Sequence, residues 1–162
     1  PGFTFTDPEL TARLLEGIRY PNKGILLDTG HLMNTDLDLE TQEEGASYLH
    51  RMLDLHGALS RSVRGIHLHQ SLSGAYTKAH TGALPGEWPE DYLERYAMGY
   101  PHILQIDTHR PWTSPAIRAL VERIEPEWLV HELSAGTRAE RDWAVACQNQ
   151  AMGWEKCASP FD

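Results

Sequence analysis

The sequence has few cysteines and no long apolar run. Its only two cysteines, Cys147 and Cys157, lie near the C-terminal end and form no metal-binding pair. They indicate reduced thiols in a cytoplasmic protein. No apolar run approaches the roughly 18 residues that a membrane-spanning helix needs. The chain also opens without a signal-peptide pattern. We therefore expect a cytoplasmic protein with no membrane partner.

Basic residues are scarce as well. Fourteen Lys and Arg stand against 23 Asp and Glu, which gives a formal net charge of -9. Because binding to nucleic-acid phosphates depends largely on Lys and Arg, this balance argues against a nucleic-acid partner. The length of 162 residues and the hydrophobic content of 41% predict one globular domain over residues 1–162. Nine histidines are many for this length, and their positions carry the most information.

Four short apolar runs end in acidic or histidine residues. The first, Ile25–Leu27, leads into Asp28-Thr29-Gly30-His31 and is typical of a strand buried on both faces of a parallel sheet. Further strands are predicted at residues 62–70, 102–108 and 128–133. Helical patterns lie at residues 8–18, 39–60, 115–124 and 137–152. Residues 71–101 are predicted to form a long functional loop with one short helix near 89–98.

Strands that alternate with helices predict parallel β/α units in an α/β fold. Four strands cannot close an eight-stranded barrel, which typically takes about 250 residues. The pattern therefore predicts either a small open sheet or half of a barrel.

The carboxyl ends of parallel strands are where α/β proteins collect ligands and catalytic groups. Side chains two positions apart share a strand face, so His67 pairs with His69 and Asp107 with His109. Imidazoles and carboxylates collected in this way are what a catalytic divalent metal requires. The candidate metal ligands are Asp28, His67, Asp107, His109 and Glu132.

Each of these motifs also has a structural interpretation. Asp-x-x-His is common in turns and caps, and Glu132 could be the partner of a buried ion pair. His69 could be a hydrogen-bonded interior histidine, and His131 is expected to be structural. Trp112 lies near the predicted mouth and could stack on a sugar, although tryptophan more often serves packing.

The four strand ends read Leu-Asp-Thr-Gly-His (27–31), Ile-His-Leu-His-Gln-Ser (66–71), Ile-Asp-Thr-His (106–109) and Leu-Val-His-Glu-Leu (129–133). This series resembles the C-terminal half of the xylose isomerase-like TIM barrels, over nearly the whole chain. That superfamily includes sugar isomerases and epimerases and the endonuclease IV type of apurinic-site endonucleases. The resemblance implies that the chain forms strands 5–8 of a TIM barrel.

The resemblance also implies roles for individual residues. Asp28, His67 and Glu132 would hold a divalent metal (Mn²⁺, Mg²⁺ or Zn²⁺), and Glu132 would also be the catalytic proton-transfer group. His31 would contact substrate in an epimerase and a further metal in an endonuclease, and His69 and Trp112 are the other candidate substrate contacts. The family's strand-four Glu would precede Pro1, so the chain alone is expected to be inactive.

The leading hypothesis is a metal-dependent sugar or sugar-phosphate isomerase or epimerase with a small-molecule sugar substrate. The first alternative is an apurinic-site phosphodiesterase of the endonuclease IV type. Its Asp-x-His pair is matched either by Asp107-Thr108-His109 or by Lys78-Ala79-His80, in which Lys replaces the Asp, and the family's His-Leu-Asn-Asp is His-Leu-His-Gln here. The net negative charge and the Lys78 departure argue against this alternative. The second alternative is a non-catalytic metal-binding half-barrel. Exposed sheet edges predict self-association in each case.

Overall fold

The computed structural model describes residues 4–81 and 87–154. Within these ranges, three parallel strands form one sheet in the order β1 (Ile25–Asp28), β2 (Val63–Leu68) and β3 (Trp128–His131). The predicted α/β class is therefore confirmed. No helix in the same ranges is both long enough and apolar enough to cross a membrane.

Helices fill both connections between the strands, as parallel strands require. Between β1 and β2 lie α2 (Thr29–Met33), α3 (Gln42–His56) and a short 3-10 helix (Gly57–Ser62). Between β2 and β3 lie α4 (Gly74–His80), α5 (Tyr92–Ile106) and α6 (Ala116–Ile124). Helix α1 (Pro8–Gly17) precedes the sheet and α7 (Arg138–Met152) follows it.

Side-chain caps fix where the predicted helices begin. Asp7 accepts hydrogen bonds from the first-turn N–H groups of α1, whose first residue is Pro8. Thr137 and Glu140 form a reciprocal capping box at α7. Helix α3 has the same device, and it begins at Gln42 rather than at the predicted residue 39.

One face of the sheet packs on helices and the other does not. The buried residues Leu27, Ile66 and Leu68 belong to one core cluster with side chains of α3, α6 and α7. The next residues along the strands point the opposite way, so Trp128 is 51% exposed and Leu26 and Val130 are also exposed. The uncovered face is thus apolar at Leu26, Trp128 and Val130, while Asp28 and His67 make its carboxyl end polar.

The predicted strand at residues 102–108 is wrong, because these residues form the last turns of α5 and its C-terminal cap. Asp91 caps this helix by accepting from the N–H groups of Leu93 and Glu94 at 2.9 and 3.0 Å. The N–H of Asp107 donates to the carbonyl of Ile103 at 2.8 Å and closes the last turn.

Helical spacing explains the difference. Tyr96 and Tyr100 lie four residues apart and stack with ring centroids 5.1 Å apart. Pro101 lies inside the helix, although its missing N–H made a helix there an unfavourable prediction. The sheet accordingly has three strands among the described residues instead of four.

The predicted loop over residues 71–101 is also wrong in its extent, because α4 and the first part of α5 occupy most of it. The predicted irregular tail after α7 lies almost wholly outside the described residues, as does Cys157.

Candidate metal centre

The acidic residue at the end of the first strand, Asp28, is also a helix cap. Asp28 is both the last residue of β1 and the N-cap of α2, and its Oδ1 accepts the backbone N–H of His31 at 2.8 Å. This cap fixes the carboxylate at the end of the sheet and turns the His31 imidazole back toward it. The Nδ1 of His31 lies 3.4 Å from Asp28 Oδ2.

The second strand delivers two imidazoles. His67 lies within β2, and His69 follows the strand directly. The carbonyl of His69 accepts hydrogen bonds from the Thr29 hydroxyl at 2.6 Å and from Trp112 Nε1 at 2.9 Å. These two buried donors hold the backbone of His69, whose side chain is 0% exposed.

A long-range bridge brings Asp107 and His109 to the same place. Gln70 and Arg110 exchange two backbone hydrogen bonds of 2.8 and 3.1 Å, which joins the end of β2 to the segment after α5. Ser71 Oγ supports this arrangement by accepting the N–H of Thr108 at 2.9 Å. His109 itself adopts a positive φ of 46°, an uncommon conformation for a residue with a side chain.

Glu132 directly follows the third strand, β3. Its N–H donates to the carbonyl of Leu68 at 3.3 Å, which extends the pairing of β2 and β3 by one step. The neighbouring His131 points into the interior, where its Nδ1 lies 2.7 Å from Gln148 Nε2. The expected structural role of His131 is in agreement with this contact.

The carboxylates of Asp28 and Glu132 are linked by imidazoles. His69 Nε2 lies 2.8 Å from Asp28 Oδ1. His67 Nδ1 lies 2.6 Å from Glu132 Oε2 and 3.7 Å from Asp28 Oδ2. Asp28, His69 and Glu132 form the first donor group, at the ends of β1, β2 and β3, and His67 contacts both of its carboxylates.

A second donor group adjoins the first. His31 Nε2 lies 2.8 Å from Asp107 Oδ2, and His109 Nδ1 lies 3.6 Å from the same oxygen. The rings of His69 and His109 stack with centroids 4.2 Å apart and planes 14° apart. His69 therefore lies between the two groups.

Two sets of side chains have donor atoms close enough for one cation each. The first set is Asp28, His69 and Glu132, and the second is His31, His69, Asp107 and His109; within each set the donor atoms lie within 4.8 Å of one another. Their chemistry of carboxylate oxygen and imidazole nitrogen suits divalent ions.

Unpartnered atoms support the fit. Among the described residues, the buried atoms His69 Nδ1, Asp107 Oδ1 and Glu132 Oε2 have no hydrogen-bond partner. His67 Nδ1 approaches Glu132 Oε2 to 2.6 Å, but without hydrogen-bond geometry. Buried polar atoms are nearly always satisfied, so three of them in one cluster fit a bound cation.

The electrostatics also favour a cation. Burial by itself would raise the pKa of the Asp28 carboxyl, but the hydrogen bonds from His69 and from the His31 N–H, with the nearby imidazole charges, lower it to about 2. Burial would lower the pKa of His31, but the hydrogen bond to Asp107 and the surrounding carboxylates raise it. Asp28 is therefore ionised at neutral pH.

All of the predicted metal ligands meet at this centre, namely Asp28, His67, Asp107, His109 and Glu132. The predicted roles of two histidines change. The donor sets contain His69, which was expected to contact substrate, while His67 contacts both carboxylates of the first set without belonging to it. The side chain of His31 is more than half exposed, so it is accessible to a substrate.

The expected stacking of Trp112 on a sugar is wrong for this structure. Its side chain is fully buried in the core, and its indole N–H is used by the His69 carbonyl. It supports the position of His69 and presents no ring face to a ligand.

Sequence reasoning missed two residues that shape the centre. Thr29 binds the backbone of His69, and Gly30 leaves the space that the His69 ring occupies. Both lie inside the Asp-Thr-Gly-His motif. In the sequence, only their position between Asp28 and His31 pointed to a role at the centre.

Comparisons with protein-family models, with curated proteins and with solved structures find no match to the chain.

Proposed function

We propose that the chain carries the metal centre of a divalent-metal-dependent isomerase or epimerase that acts on a sugar or sugar phosphate. One observation carries the proposal: Asp28, His69 and Glu132 come from three strand ends with donor atoms within 4.8 Å of one another. Two carboxylates and one imidazole leave open positions on a divalent ion, as catalytic sites do.

The ion supplies Lewis-acid polarisation of a carbonyl and its neighbouring hydroxyl when it is bound. Two carboxylates with one imidazole favour Mn²⁺ or Mg²⁺. The remaining steps belong to side chains of this chain.

Glu132 is the side chain best placed to move a proton. Its carboxylate is about one-third exposed, so one oxygen can face the ion while the other contacts substrate. It would take the proton from the carbon beside the carbonyl and return it to the adjacent carbon on the same face, whereas an epimerase would need a second acid to protonate the opposite face. His31, exposed and held by Asp107, would orient a substrate hydroxyl.

The negative charge around the metal centre favours a small substrate. Asp28, Asp107 and Glu132 lie together, and the whole chain carries a net charge of -9. Such a field repels a long polyanion such as DNA far more strongly than it repels a small sugar or sugar phosphate.

The half-barrel remains part of this proposal. Three parallel strands in sequential order, helices on one face and an uncovered opposite face are what an arc of a TIM barrel contains. In a closed barrel the uncovered face would become the interior.

The second donor group supports one other candidate, the apurinic-site phosphodiesterase. His31, His69, Asp107 and His109 are an imidazole-rich set that suits Zn²⁺, and two adjacent metal sites are typical of phosphoester hydrolysis. Lys78, which departs from that family's pattern, forms an ion pair with Asp38 and not with a member of the centre.

One experiment separates the two candidates. The chain is loaded with Mn²⁺, Mg²⁺ or Zn²⁺ and incubated in D₂O with pentoses, hexoses and their phosphates, and in parallel with abasic-site DNA. Complete turnover is not expected from the chain alone, but proton exchange at one carbon needs only Glu132 and the ion. The proposal therefore predicts deuterium at the carbon beside the carbonyl, lost in Glu132→Gln but kept in Glu127→Gln at the other end of β3.

Cleavage of the DNA without deuterium exchange would instead support the phosphodiesterase. Bound metal with neither activity would support the non-catalytic metal-binding scaffold.

A further inference from the structure

A cavity of about 620 Å³ lies beside the metal centre, within the size range of small-molecule sites. Its lining includes Gln70, Arg110 and Ser134, which follow the centre's His69, His109 and Glu132 by one or two positions. The backbone bridge between Gln70 and Arg110 is therefore shared by the cavity and the centre.

The cavity contains an unpartnered buried amide. Gln70 is only 6% exposed, and its Oε1 has no hydrogen-bond partner among the described residues. The backbone of Gln70 is fully used by the bridge to Arg110, so the side chain is free to bind something else. Leaving a buried acceptor unpaired is unfavourable, which favours a ligand hydroxyl that donates to this oxygen.

The cavity also contains an unpaired cation. The Arg110 side chain is exposed, and no carboxylate of the described residues lies within ion-pair distance of it. Glu140 lines the same cavity, but its Oε2 accepts the N–H of Thr137 at 2.9 Å as part of the helix cap. The guanidinium is thus available for bidentate binding of a phosphate or carboxylate.

Trp143 completes the lining. Its indole is 41% exposed and faces the cavity from α7. An exposed indole ring can pack against the apolar face of a small ring while leaving the polar edges of that ring to other partners.

We infer that this cavity binds a hydroxylated small molecule with an anionic group, namely a sugar phosphate or a sugar acid. Arg110 holds the anionic group, Gln70 accepts a hydroxyl proton, and Trp143 packs on the ring or chain. The inference rests on the proposed function for its sugar-derived ligand and narrows the substrate class to anionic sugars.

The test is calorimetric titration of the metal-free chain with ribose 5-phosphate, ribonate, ribose and inorganic phosphate. At least one of the two anionic sugars should bind, and ribose should bind more weakly. Arg110→Gln keeps the backbone bridge and should weaken binding at least about tenfold, the loss expected for one charge-assisted contact. The control variant Arg141→Gln loses a different exposed arginine, which lies on α7. It should bind the anionic sugars as tightly as the parent does.

A preference for ribose 5-phosphate or for ribonate tells which anionic group is used. Equal affinity of the parent and Arg110→Gln, or binding of neither anionic sugar, would overturn the inference. Loss of binding in Arg110→Gln without any proton exchange in the metal-loaded chain would refute the proposed function and retain the subsite. Proton exchange with a KM that is unchanged in Arg110→Gln would refute the subsite and retain the function.

Discussion

Gly30 and His69 are in such close contact that residue 30 must be a glycine. A Cβ built on Gly30 would lie 2.1 Å from Cε1 and 2.3 Å from Nδ1 of the His69 ring. No side chain can occupy that space while the ring stays where it is. The first strand end therefore shapes the pocket for an imidazole that comes from the second.

Substitution Gly30→Ala is expected to displace His69 and weaken the centre. Gly30 lies in α2, where alanine is sterically allowed, so the effect comes from the clash alone. Overpacking of this kind costs about 1–3 kcal/mol. The free energy of unfolding should fall by that amount in urea titrations, and the affinity for the divalent metal should fall with it.

The matched control is Gly17→Ala, because a Cβ there meets nothing within 4 Å. It should cost no stability and leave metal affinity unchanged. If Gly30→Ala behaved in the same way, the contact with the His69 ring would not constrain the centre.

Trp112→Phe tests the supporting role of the buried indole. The substitution removes the 2.9 Å hydrogen bond to the His69 carbonyl and leaves a smaller ring in the core. Loss of one hydrogen bond and some packing should lower the free energy of unfolding by about 1–3 kcal/mol. A stability equal to that of the parent would contradict this supporting role.

The stability of the chain should depend on the protonation of His50. Burial and the Arg123 guanidinium lower the pKa of this histidine from its ordinary value of 6.5, and the nearby Asp54 only partly opposes them. Because Arg123 Nη1 can only donate, His50 Nδ1 accepts its hydrogen bond at 3.2 Å and must be neutral.

The unfolded chain then binds a proton more readily than the folded chain does. The contribution of His50 to stability should therefore fall as the pH is lowered through 6.5 and level off below the folded pKa. The fall should be smaller in His50→Gln, measured by urea unfolding at several pH values. An NMR titration with a His50 midpoint at or above 6.5 would contradict this account.

Self-association remains a prediction, and the structure identifies where to test it. The uncovered sheet face exposes Leu26, Trp128 and Val130, and β1 and β3 each have an edge without a partner strand among the described residues. Such apolar surfaces and open edges favour pairing with a second copy.

Light scattering should give a mass above that of one chain, and Trp128→Arg should reduce it. The control Tyr20→Arg places the same charge at an exposed aromatic residue outside the sheet. A strictly monomeric parent would refute the prediction.

The sequence predicted where the candidate ligands lie better than it predicted the fold around them. Short aliphatic runs followed by Asp28, His67 and Glu132 located three strand ends, because in parallel sheets apolar runs and terminal polar groups coincide. Residues 102–108 had the same composition, but their run continues a helical pattern that starts at Tyr92. A local pattern could not distinguish these two cases.

The presence of His69 rather than His67 in the donor sets has a geometric cause. Strand alternation applies only inside a strand, and β2 ends at Leu68. His69 directly precedes Gln70, which is bridged to Arg110 40 residues away in sequence, so the orientation of His69 depends on a long-range contact. Long-range contacts of this kind also hid the burial of Trp112, whose partner is the backbone of His69.

The most direct test of the central claim is elemental analysis of the purified chain beside the variants Glu132→Gln and Glu127→Gln. If Asp28, His69 and Glu132 hold a cation, the parent and Glu127→Gln will retain about one or two ions of Mn, Zn or a similar metal per chain, as the two adjacent donor sets allow. Glu132→Gln will retain less. A metal-free parent after incubation with these ions, or equal metal in Glu132→Gln, would contradict the account.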